Sequence, residues 1–215
     1  MTQKPPFWDV EESIGFNSIE AKKDGLYYKV WDQGTDTIKQ EVAEQLANVR
    51  CDFNKLLLYL YNNPKLWINH PIAYGIIHTF DIHVPCLCDD VGSNLNNIND
   101  KCLSVNKLFN IQEMTPNDYG IIGLNKPKII KTIRTEINGK PIDYKIAEKR
   151  SMFLTIRNKK MNTINDYNKT ILLALHEITH TTCNDVTWKE DNHKKPYPEY
   201  HKLMRKWAQE CGILK

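Results

Sequence analysis

In the last quarter of the chain, Leu172 to His193 read LLALHEITHTTCNDVTWKEDNH, with two histidines four residues apart, His176 and His180, around Glu177. On a helix this spacing offsets side chains by only about 40° and about 6 Å along the axis, so both imidazoles point the same way. Each can then reach one zinc ion at about 2.0 to 2.1 Å. Glu177 follows the first ligand directly, which sets its carboxylate beside an open coordination position without filling it. A general base belongs there. Leu172, Leu173, Leu175 and Ile178 anchor the remaining helix surface in a core and give the ligands rigid support. Zinc so held lowers the pKa of its water from about 15.7 toward about 7 and polarises a peptide carbonyl. Glu177 would take the proton as water attacks and pass it to the leaving amine.

A structural zinc is closed by four protein ligands, whereas a catalytic one keeps three and leaves the last position to water. The longer H-E-x-x-H-x-x-G-x-x-H pattern is excluded, because Cys183 stands where it needs glycine and Val186 where it needs histidine. His193 is the first choice for the third ligand, since a turn across CNDVTWKED would fold it back under the metal. Glu199 is the second choice and Asp185 the third, whose ordinary role is hydrogen bonding at a helix end. Tyr197, Tyr200 and His201 are candidates to donate to the developing oxyanion, set against ordinary packed or solvent-facing roles. A second cluster, His83, Cys86, Cys88 and Cys102, has C-x-C rather than C-x-x-C spacing. It reads as buried, reduced thiols sooner than as another zinc site.

The elements that must hold these groups follow from periodicity. Thr35 and Asp36 are N-cap residues for a long amphipathic helix with apolar Ile38, Val42, Leu46, Val49, Phe53, Leu56, Leu57 and Leu60, stopped by NNP at 62–64. A shorter helical or mixed region is expected through Ile77, and CDDVGSNLNNINDKC reads as a loop, with residues 89–110 as an insertion. From Tyr119 the chain is dense in β-branched and aromatic residues, with Asn138-Gly139 as a hairpin signal. That predicts a small antiparallel or mixed sheet, with MFLTIR (Met152 to Arg157) as its last strand and a free edge for an extended substrate. Asn165 or Asp166 caps the helix of the histidine motif, and Asn184 could close it. PYPEYHKLMRKWAQECG is a terminal helix with Gly212 just past its end. The fold class is α+β. Residues 1–34, with one short strand in GLYYKVW, read as an arm, and 35–215 as a single domain.

At 215 residues, 41% apolar and 26% charged, the chain has the composition of an ordinary globular protein. It lacks the roughly 20-residue apolar run that spans a bilayer, so no membrane partner is expected. The N-terminus does not read as a secretory signal, which predicts an intracellular protein whose six cysteines form no disulfide framework. A net charge of +3 neither shows nor excludes DNA as a partner.

HEITH, followed after a polar loop by DNHKKPYPEYHKLMRKWAQECGI, resembles the SprT-like and WLM metalloproteases. In these a third histidine is followed four residues later by an aromatic, as His193 is by Tyr197. Together, KR-x-MFLTIR, HEITHTTCND and W-x-x-DNH look most like the WLM-type proteins of large DNA viruses. The resemblance runs from about Tyr119 to the end. It implies a minimal zincin-like fold and a zinc-dependent endopeptidase acting on protein or peptide. Cellular relatives degrade proteins crosslinked to DNA, and a viral member would reside in host cytoplasm or virion. The chain departs from them in placing Lys194 and Lys195 after the third histidine, and no DNA-binding tail is expected after it. Two other classes remain: a non-catalytic DNA- or protein-binding module on the same scaffold, and a metal hydrolase acting on a non-peptide bond.

Overall fold

The structure, a computed structural model, describes residues 15–67, 109–115, 122–137, 140–158, 163–180 and 197–215. Helix α1 spans Asp36–Asn62, about 40 Å at 1.5 Å per residue. The Oγ1 of Thr35 caps it by accepting from the Ile38 N–H at 3.3 Å. Its predicted stripe is the core: Val42, Leu46, Val49, Phe53, Leu56, Leu57 and Leu60 are all buried, and Ile38 packs at the margin. One turn, α2 (Pro64–Trp67), follows.

The first described residues form two strands where one was expected. β1 (Phe16–Glu20) and β2 (Tyr27–Trp31) pair antiparallel, Phe16 opposite Trp31 and Glu20 opposite Tyr27. Tyr28 and Val30 alternate into the core, as period-two patterning requires. The turn is fixed from outside, because Asp24 accepts from Arg50 Nη2 of α1 and from the Tyr28 hydroxyl, each at 2.7 Å. FNSIE carries two strong β-formers, Phe16 and Ile19, among three polar residues, so its strand leans on this packing.

The second sheet contains β3 (Phe109–Glu113), β4 (Gly123–Ile137) and β5 (Lys140–Leu154) in the order β3-β5-β4. β4 and β5 form a long antiparallel hairpin whose strands close with Ile137 opposite Lys140; the Asn138-Gly139 turn itself lies outside the described residues. β3 runs parallel to β5, with Ile111 beside Met152. The sheet is therefore mixed and the domain α+β. This overturns the free edge expected at Met152–Arg157. Met152, Phe153 and Leu154 lie in the central strand, paired on one side with Ile111–Glu113 and on the other with Gly123–Asn125. Phe109 and Asn110, expected in a loop, begin β3.

β3 is held by a buried ion pair. Glu113 Oε1 lies 2.8 Å from Arg157 Nε, and both side chains are almost fully buried. Glu113 Oε2 accepts from the Trp31 N–H at 2.8 Å, while Arg157 donates to the carbonyls of Trp31 and Gln33. The 16–31 hairpin is thus tied to the sheet.

Helix α3 (Tyr167–His180) starts where expected: Asp166 Oδ1 accepts from the Asn168 N–H at 2.9 Å. Gln45 of α1 donates to Thr170 Oγ1 at 2.6 Å, and Tyr167 donates to Asp52 at 2.5 Å, fixing α3 across α1. Helix α4 (Tyr197–Glu210) ends on Gly212 at φ +73°. Ile213 N–H bonds the Ala208 carbonyl and Gly212 N–H that of Gln209, a Schellman closure. No described helix is long and apolar enough to cross a membrane. Of the region expected to be helical or mixed through Ile77, only α2 is described; residues 68–77, residues 89–108, the His83, Cys86, Cys88 and Cys102 cluster, and Asn184 lie outside the described residues.

Candidate metal centre

α3 is positioned by its apolar face. Ile171, Ala174, Leu175 and Ile178 are buried against the core, with Leu173 at its margin and Leu172 half-buried. His176 and His180 consequently turn together to the opposite side, toward α4. Their Nε2 atoms stand 3.3 Å apart, with ring planes inclined at 74°. Two nitrogens each about 2.1 Å from one ion at a tetrahedral angle are separated by roughly 3.4 Å. The pair therefore fits two corners of a zinc shell.

α4 supplies the wall opposite. Tyr197 and His201, four residues apart on one face, both meet the histidines. The Tyr197 ring stacks on His180 at 4.5 Å between centroids and 29° between planes, and its hydroxyl donates to the His176 carbonyl at 3.2 Å. His201 lies 5.6 Å from His176 and 5.7 Å from Tyr197. Tyr200 is half-buried and packs against the hydrophobic core; Glu199 is exposed in the first turn of α4.

Glu177 points toward the sheet and is only 5% exposed. Burial pushes its carboxyl up to about 8. Two residues of β4 frame it. Asn125 Nδ2 donates to the Glu177 carbonyl at 2.6 Å, and Gly123 leaves room for the carboxylate. Neither residue stands out in the histidine motif, although an isolated glycine in a strand is itself a sign of close approach.

Among the described residues no three His, Cys, Asp or Glu side chains stand close enough together to hold one ion. The histidine pair is formed there. His193 and Asp185, two of the three residues weighed as the third ligand, lie outside the described residues, as do Cys183 and Val186. No protein-family model, curated protein or solved structure matches the chain.

Proposed function

We propose that the chain is a zinc-dependent endopeptidase on a zincin-like scaffold. The observation that carries this reading is the convergence of His176 Nε2 and His180 Nε2 at 3.3 Å with a buried carboxyl on the intervening turn. His176 and His180 would hold the metal, with His193 as the third ligand. Zinc bound there would supply Lewis acidity, lowering the pKa of water and polarising the scissile carbonyl.

Glu177 is the general base: it accepts a proton from the attacking water and releases it to the departing amine. A carboxyl pushed up to about 8 by burial is a poor anion on its own, but a divalent cation beside the two imidazoles favours the charged form. Tyr197 steadies His176 through its carbonyl and His180 through its ring. His201, whose ring centroid lies 5.6 Å from that of His176, would donate to the developing negative charge.

Substrate binding moves with the sheet order. β5 is flanked on both sides, whereas β4 pairs, among the described residues, only with β5, and its first residues lie against Glu177. An extended polypeptide main chain pairs with β4 in this reading. The test is hydrolysis of a denatured protein by zinc-loaded enzyme. Hydrolysis should stop with chelator and in Glu177→Gln, which should still bind zinc. Undiminished hydrolysis by Glu177→Gln would refute the reading.

A further inference from the structure

Gly123 opens β4 directly against the helix of the histidine motif. A Cβ built there would lie 2.4 Å from Glu177 Oε1, 3.0 Å from Glu177 Cδ and 2.9 Å from Leu173 Cδ1. Ordinary van der Waals contact starts at roughly 3.5 Å, so even a methyl group cannot share this space with the carboxylate as placed. Backbone conformation does not call for glycine at this position, because its φ lies outside the left-handed region. What calls for it is the neighbour. Leu124 is buried and the Asn125 bond to the Glu177 carbonyl holds strand and helix at one spacing, so it is the side chains of Glu177 and Leu173 that must yield.

We propose that Gly123 is a positioning residue for the general base: its missing side chain lets the Glu177 carboxylate lie against β4. The proposal rests on the peptidase reading and deepens it. A side chain at 123 drives the carboxylate about 1 Å or more from its place, and misplacement on this scale costs on the order of 10²-fold in turnover.

The test combines G123A with truncations of the residues it would strike. In zinc-loaded enzyme, G123A should lower kcat about a hundredfold while KM stays within about threefold and zinc remains at one per chain. In an E177D background, where the carboxylate is drawn back by one methylene, adding G123A should change kcat by less than about threefold. Metal-free protein gives a readout separate from activity. G123A should lower the urea midpoint of the parent, lower that of E177A distinctly less because only the Leu173 contact is left, and keep most of its effect in L173A.

Equal lowering in the E177A background, or relief by L173A alone, would overturn the proposal. So would a kcat for G123A within threefold of the parent while E177Q is inactive, an outcome that leaves the peptidase reading standing. Loss of zinc in step with kcat would make Gly123 a support of the metal shell and also overturn it. If E177Q hydrolyses normally, the peptidase reading fails and the unfolding comparison still decides the contact. Should G123A alone not fold, folding of G123A/E177A supports the proposal and its failure to fold overturns it.

Discussion

Glu177→Gln should stabilise the metal-free protein, and by an amount that grows with pH. The folded carboxyl is pushed from 4.5 to about 8 by burial, while the unfolded chain keeps the ordinary value. The uncharged acid is thus favoured in the folded state. Its contribution is complete below about 4.5 and is lost as pH rises through about 8. At about 1.4 kcal/mol per unit, the wild type loses on the order of 3 kcal/mol relative to Glu177→Gln between about pH 5 and about pH 8. Urea unfolding of chelator-treated wild type and variant, at several pH values across that interval, measures this. The buried Glu113, whose carboxyl is also raised by burial, is present in both proteins and cancels in the difference. A stability difference that stays flat with pH would show that water or a counter-charge reaches Glu177 in the folded protein. The argument from burial would then be wrong.

Other consequences are as specific. Tyr197→Phe removes the hydroxyl that reaches the His176 carbonyl but keeps the ring on His180, and zinc affinity by competition with a chromophoric chelator should fall roughly tenfold. Arg157→Met strands the Glu113 carboxylate in the core and should cost about 3 to 5 kcal/mol in urea unfolding; a second change, Glu113→Leu, should recover most of it. Gly212→Ala forces a side chain to φ +73° and should cost about 1 kcal/mol in the same assay. His193→Ala should weaken zinc binding, read by the same chelator competition. Full zinc affinity in that variant would move the third ligand to Glu199 or Asp185.

What could be read from the sequence was local. The α1 stripe and its Thr35 cap, the Asp166 cap of α3 and the Gly212 closure of α4 are set by residues within a few positions of one another. The histidine pair was readable for the same reason, since a four-residue interval on a helix fixes their separation. Strand order was not. β5 looks like a terminal strand until β3 docks beside it, and β3 is five residues ending in Gln112 and Glu113, which are buried. Glu113 is tolerated there because Arg157 lies on it from 44 positions away. β1 was missed similarly, its turn being held by Arg50 on α1. Within the site, Glu177 could be assigned a role but not surroundings: Asn125 reaches it from 52 residues earlier, and Gly123 acts by what it lacks. The Tyr197 hydroxyl reads in the sequence as an oxyanion donor, whereas the packing of α4 on α3 directs it to the His176 carbonyl.

The central claim is that the histidine pair holds zinc in an open, nitrogen-rich shell. X-ray absorption at the zinc edge of purified protein reads this directly. The account predicts one zinc per chain, with light-atom ligands at about 2.0 to 2.1 Å, and loss of the metal in both His176→Ala and His180→Ala. Zinc bound through sulfur at about 2.3 Å, or retained at full occupancy in those variants, would contradict it.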